Sequence, residues 1–125
     1  FVVKRSEEQL SELNGLNSRL ADPNSSRPQQ PFYAQNETRS IRPDVLVLVG
    51  LCTHLGCSPQ FKPAVRPEQF NAEWVGGIFC ACHGSKFDMA GRVYAGVPAP
   101  SNLEVPPHYY EDDSVLVIGE DKGTA

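Results

Sequence analysis

Two short segments, Cys52-Thr53-His54-Leu55-Gly56-Cys57 and Cys80-Ala81-Cys82-His83-Gly84-Ser85, hold all four cysteines of this 125-residue chain and two of its three histidines. Each block supplies one histidine and two cysteines. A fold that must carry both blocks is constrained more by them than by any hydrophobic pattern. Six such groups are too many for one tetrahedral metal. They are enough for two thiolate ligands, two imidazole ligands and a disulfide.

C-T-H-x-G-C followed by C-x-C-H-G-S resembles the signature of the Rieske iron–sulfur proteins of quinol–cytochrome c oxidoreductases, the cytochrome bc1 and b6f complexes. The resemblance implies one [2Fe-2S] cluster, with Cys52 and Cys80 on the inner iron and His54 and His83 on the outer one. It also implies a Cys57–Cys82 disulfide. Ala81 stands where many members have proline, a departure that leaves the ligand positions intact.

Zinc also takes Cys₂His₂ sets, but its knuckles favour ligands two to four residues apart. Cys52-x-His54 is tight for that, and zinc leaves Cys57 and Cys82 without a role. Two structural disulfides explain the cysteines but not the paired histidines. His108, in Pro106-Pro107-His108-Tyr109-Tyr110, lies away from both blocks and reads as a surface or strand-end residue.

A chain of this length fits one domain with a small inserted part. It is rich in turn formers, with 11 Pro and 10 Gly. Its net charge of −4 and lack of a basic cluster argue against nucleic-acid binding. The longest apolar run, Val45 to Leu51, is interrupted by Gly50 and is strand-length rather than membrane-spanning. Phe1-Val2-Val3-Lys4-Arg5 reads as a strand entered midway. Because family members carry a membrane helix and hinge at the N-terminus, the expectation is a fragment of a longer, anchored protein. A lasting disulfide implies an oxidising compartment. With the resemblance, that places the domain on the periplasmic side of a bacterial inner membrane.

Along the chain, Ser6-Glu7-Glu8-Gln9 has the form of a capping box, and Leu10, Leu13, Leu16 and Leu20 follow at near-helical spacing. The pattern predicts a helix from about Glu7 to Asn14 that frays towards Gly15. Asp22 to Pro31, with Pro23, Pro28 and Pro31, reads as a loop. Strands are predicted at Phe32–Ala34, Val45–Val49, Ile78–Cys80, Arg92–Ala95 and Val115–Ile118, with Asp112-Asp113 marking the last turn. Short strands between Gly/Pro turns suggest a mainly β, small antiparallel sandwich or barrel with one short N-terminal helix; the resemblance implies the β-sandwich. By the resemblance this is the Rieske fold, with a base part at about 1–50 and 98–125 and an inserted cluster-binding subdomain at about 51–97. Residues 58–79 form a long excursion with no evident chemical role beyond joining the two blocks.

Imidazole ligands in place of thiolates remove negative charge from a cluster and raise its potential, to roughly −150 to +300 mV. A ring N–H can also release a proton, more readily on the oxidised centre than on the reduced one. Electron and proton uptake are then coupled, and the potential should fall as pH rises. His54 and His83 are the catalytic candidates, with ring edges expected at exposed loop tips. The resemblance has His83 meeting the quinol oxygen, and cytochrome b and cytochrome c1 as partners.

Around the ligands, Gly56 and Gly84 allow tight turns whose N–H groups can face sulfur. Ser85 matches the family serine that bonds a bridging sulfide. Phe87 stands where high-potential members carry a tyrosine, which implies a lower potential. Gly96-Val97-Pro98-Ala99-Pro100 resembles the loop that covers the cluster on a third side, with Pro98 stiffening it. A disulfide closing a loop of about 25 residues contributes about 3 kcal/mol.

A Rieske ferredoxin serving an oxygenase is one rival, but such proteins generally lack the extra cysteine pair. A small subunit of an arsenite-oxidase-type enzyme is another, and Phe87 fits it equally. A catalytic oxygenase is disfavoured, because His108 alone remains for a second metal.

Overall fold

The computed structural model describes residues 1–120. Ten short elements follow in order: β1 (Val2–Lys4), α1 (Glu7–Ser11), two 3₁₀ helices (Asn14–Arg19 and Phe32–Ala34), β2 (Val45–Val47), β3 (Gln60–Lys62), β4 (Gly77–Cys80), β5 (Ser85–Phe87), β6 (His108–Asp112) and β7 (Val115–Ile118). All strand pairing is antiparallel, in the order β1-β2, β3-β4-β5 and β6-β7. The mainly β reading with one short early helix holds.

The helix begins as its sequence dictates. Ser6 Oγ accepts from the Gln9 amide at 3.1 Å, and Gln9 Oε1 accepts from the Ser6 amide at 2.8 Å. These two bonds satisfy donors that a helix start leaves open. α1 closes at Ser11, three residues before the expected end, and the chain continues as the 3₁₀ helix Asn14–Arg19. Asn14, Gly15 and Asn17 are weak helix formers, so buried Leu13 and Leu16 anchor this stretch by packing.

Phe32–Ala34 is a 3₁₀ turn, not the expected strand. The Pro31 and Phe32 carbonyls accept from the Ala34 and Gln35 amides at 3.0 and 3.2 Å. Proline sets the extended entry at φ −64°, and Phe32 is left 85% exposed, so no sheet face recruits the segment. Arg92–Ala95 is likewise no continuous strand: it makes single bridges, Phe87↔Val93 and Leu20↔Tyr94. Its four backbone amides donate to four different residues, Asp88, Asn102, Lys86 and Arg19, with the Val93 amide donating to Asn102 Oδ1 at 2.8 Å. His108 does start a strand, but it is buried, contrary to a surface reading. Its ring meets Tyr33 edge-on at 5.7 Å.

The principal core runs through Val3, Leu13, Leu46, Leu48, Ile78, Phe87, Met89, Leu103 and Val105, and includes Cys52 and Cys80. A second cluster joins Leu16, Leu20, Trp74 and Tyr94. The 58–79 excursion thus acquires a structural role. It contributes β3 to the sheet and packs Phe70 flat on Phe79 at 4.0 Å, with Trp74 edge-on to Phe70 at 4.7 Å.

Behind β5, the turn 88–92 is held by buried charge. Asp88 accepts from the Ala90 and Arg92 amides and from Arg92 Nε, each at 2.8 Å. Arg5 donates to the Met89 carbonyl at 2.9 Å, and Arg39 to the Ala90 and Leu103 carbonyls at 3.0 and 2.8 Å. Burial lowers both the Arg5 and Arg39 guanidinium pKa values to about 10. Such groups are tolerated inside because backbone carbonyls replace their water.

Candidate metal centre

Two turns of the same construction carry the Cys/His blocks. The Cys52 carbonyl accepts from the Gly56 amide at 2.9 Å, and the Cys80 carbonyl accepts from the Gly84 amide at 2.9 Å. Both glycines sit at positive φ, 78° and 82°, where other residues are strained. Neither would clash through an added Cβ, so the requirement is one of backbone conformation. The first turn follows β2 at a distance along the chain, and the second joins β4 to β5.

These turns bring the blocks face to face. Cys57 and Cys82 form a disulfide, with Cα atoms 6.6 Å apart. Cys52 and Cys80 are free thiols, both buried. The rings of His54 and His83 meet edge-to-face, centroids 4.9 Å apart. His83 is exposed and His54 half-buried. The Sγ atoms of Cys57, Cys80 and Cys82 all lie within 4.8 Å of one another, but two of these are spent in the disulfide and offer no thiolate.

Burial raises the Cys52 thiol above its ordinary range. The His54 amide pulls the other way, neighbouring Cys80 raises it further, and the Ser85 hydroxyl lowers it again. Cys52 and Cys80 share one buried cluster, and Ser85 pairs with Cys80 across β4 and β5. Ser85 is buried, and its Oγ accepts from the Ala99 amide at 2.9 Å. Phe87 has no exposed surface and shares the buried cluster with Cys52 and Cys80.

Every sequence-predicted site residue except Pro98 falls in this assembly. Pro98 itself is exposed, and its buried neighbour Ala99 makes the connection to Ser85. Sequence reading missed Thr53, whose Oγ1 donates to the Ser101 carbonyl at 2.6 Å and ties the first block to the loop after Pro98. It also missed Ala99. Thr53 could have been noticed as a hydroxyl between two ligand candidates, whereas a backbone amide leaves no trace in residue type.

The donors fit a mixed-ligand iron–sulfur cluster: two free, adjacent thiols on the inside and two paired imidazoles on the outside. Ser85, paired with Cys80 across β4 and β5, puts a hydroxyl next to this set, where hydrogen bonds tune a cluster.

Residues 30–107 match the family model of the Rieske [2Fe-2S] domain. The whole chain is 51% identical to the ubiquinol-cytochrome c reductase iron-sulfur subunit of Allochromatium vinosum, covering 60% of that protein. Over 95% of its length it is 40% identical to the protein of the same name from Rhodospirillum rubrum, of which it covers 57%. The same identity and share of this chain hold for the mitochondrial cytochrome b-c1 complex subunit Rieske-3 of Nicotiana tabacum, of which it covers 37%. The chain therefore spans well under two thirds of these relatives. With the match to its family model running through both blocks and the loop behind them, the chain belongs to the Rieske [2Fe-2S] domain family.

Proposed function

We propose that this chain is the electron-carrying domain of a quinol–cytochrome c reductase, taking an electron from a quinol and passing it to a c-type cytochrome. The edge-to-face pairing of His54 and His83, in blocks that each also hold one buried free thiol, carries the reading. The names of the relatives, iron–sulfur subunits of ubiquinol–cytochrome c reductases, support it.

Cys52 and Cys80 would hold one iron, and His54 and His83 the other. When bound, such a cluster exchanges one electron at a potential of roughly −150 to +300 mV. The rest of the work belongs to the chain. Exposed His83 can meet a quinol hydroxyl, and its outward ring nitrogen can take the hydroxyl proton as the electron leaves. Buried Cys52 and Cys80 keep the sulfur side out of water. The disulfide and the Thr53–Ser101 bond hold the first block to its neighbours, so the two rings keep their relative position.

The partners that follow are cytochrome b and cytochrome c1, the quinol at the His83 tip, and a membrane reached through an N-terminal anchor on the periplasmic side. Among the described residues no helix is long and apolar enough to cross a membrane. The division into a base at about 1–50 and 98–125 and a cluster part at about 51–97 belongs to the same proposal, with 121–125 outside the described residues. One core runs through both parts, which supports their moving as a single body. The ferredoxin and arsenite-oxidase alternatives are not favoured. The disulfide argues against the first, and the relatives' names against both.

Membranes carrying the full-length protein provide the test. Quinol should reduce the centre, and ferricytochrome c should reoxidise it. Reduction by dithionite but not by quinol would contradict the proposed donor.

A further inference from the structure

Residues 99–103 lie outside every strand and helix, and the 2.8 Å bond from the Leu103 amide to the Gly91 carbonyl is their only backbone–backbone hydrogen bond among the described residues. Ala99, Asn102 and Leu103 are nevertheless buried, and buried backbone must find partners. Side chains supply them, one for each residue in turn. The Ala99 amide donates to Ser85 Oγ at 2.9 Å, and the Ser101 carbonyl accepts from Thr53 Oγ1 at 2.6 Å. These two bonds go to the ligand blocks. The other three carbonyls accept from a single distant segment: Pro100 from Arg27 at 3.2 Å, Asn102 from Gln29 Nε2 at 3.0 Å and Leu103 from Arg39 Nη2 at 2.8 Å.

That segment is itself restrained. The Gln29 carbonyl accepts from Arg39 Nη2 at 3.3 Å and from the Val105 amide at 2.9 Å, so the Gln29 side chain projects from a fixed backbone. Arg39 is fully buried at φ 52°, a left-handed conformation that costs a non-glycine residue and persists where the surroundings determine it. Asn102 returns the contact, its Nδ2 donating to the Asp22 carbonyl at 3.2 Å.

We propose that Gln29 is a positioning residue of the metal centre, with Arg27 and Arg39 acting on the same loop. These side chains fix residues 99–103, and the loop in turn fixes Ser85 and Thr53. Local opening of the loop releases both of those bonds together and admits water and chelator to the cluster. The inference rests on the ligand assignment of the proposed function for that consequence, while the restraint of the loop rests on the hydrogen bonds alone.

Gln29→Met keeps the length of the side chain and loses its donor, whereas Gln29→Lys keeps a donor. Hydrogen exchange of the iron-loaded 125-residue chain is read by mass spectrometry on a peptide covering 99–103. In Gln29→Met it should rise about three- to tenfold, the range for one lost neutral hydrogen bond. Loss of the cluster's visible absorption to excess chelator should speed up by the same factor, because both processes pass through the same opening. Exchange of the β6–β7 hairpin should stay at the parent rate, and Gln29→Lys should restore both altered rates. Arg27→Met, at an exposed position, should show the same pattern more weakly. An unchanged 99–103 peptide in Gln29→Met overturns the proposal, as does a Lys variant as fast as the Met one. An equal rise in the hairpin marks a general loss of stability and also overturns it. So does faster exchange with unchanged cluster loss, since the loop is then not what retains the centre. No arm uses quinol or cytochrome, so a failure here is separable from a failure of the functional reading.

Discussion

The Ser85 hydroxyl oxygen accepts a hydrogen bond from the Ala99 amide at 2.9 Å. Because the oxygen is occupied as an acceptor from the backbone, its own proton is left to donate, and Ser85 stands directly across from Cys80 where β4 pairs with β5. The loop that holds Thr53 through the Ser101 carbonyl thereby also fixes the Ser85 hydroxyl beside the ligand blocks. A donor there stabilises the reduced state most, since sulfur then carries more negative charge.

Ser85→Ala should therefore lower the midpoint potential. A hydrogen bond to a charged acceptor is worth about 1.5–3 kcal/mol, and a tenfold one-electron change is about 59 mV, so a fall of about 65–130 mV is expected. Protein-film voltammetry of the two forms reads it. An unchanged potential would show that the hydroxyl points elsewhere.

Phe87→Tyr should act in the opposite direction. Phe87 is fully buried within the cluster that contains Cys52 and Cys80. By the family resemblance a hydroxyl on that ring donates to a ligand cysteine sulfur, and it should raise the potential by a similar amount. A lower value, or none of the expected change, would refute the assignment of this position as a tuning site.

Tyr94 offers a stability prediction away from the cluster. Its hydroxyl is buried with no hydrogen-bond partner, and burial pushes its pKa up to about 12. Tyr94→Phe should stabilise the fold by about 1 kcal/mol in urea denaturation. The pH dependence has a definite sign. Between about pH 10 and 12 the unfolded chain has lost this proton and the folded chain has not. Stability then falls as pH rises through that window, and the variant should lack this part of the fall. Equal pH profiles would contradict it.

Among the described residues Asp88 is the one buried carboxylate beside three buried arginines, and it pairs with Arg92 at 2.8 Å. Asp88→Asn leaves the Arg92 charge without its partner and should cost about 3–5 kcal/mol of stability. Equilibrium unfolding checks this; a loss below 1 kcal/mol, the scale of surface pairs, would mean the guanidinium finds compensation.

The metal centre was legible because its chemistry is local. Cys52, His54 and Cys57 lie in one turn, Cys80, Cys82 and His83 in another, and residue type alone carries ligand capacity. The capping box at Ser6 was legible for the same reason. Phe32–Ala34 misled because an aromatic-rich triplet has strand composition, while the preceding proline and the absence of a facing strand decided for a turn. β3 was hidden within proline-broken sequence, since its pairing with β4 depends on a partner far along the chain. The buried roles of Arg5, Arg39 and Arg92 were invisible for a similar reason. Arginine reads as surface, and partners far along the chain, such as the Met89, Ala90, Leu103 and Leu13 carbonyls, make it otherwise.

The central claim, mixed ligation by two cysteines and two histidines, is tested most directly by electron paramagnetic resonance of the reduced chain labelled with ¹⁵N-histidine. The account predicts an average g value below that of four-cysteine clusters, with coupling to two histidine nitrogens that survives His108→Gln and is altered by substitution of His54 or His83. A spectrum of the four-cysteine type without nitrogen coupling, or no signal after reduction of an iron-loaded sample, would contradict it.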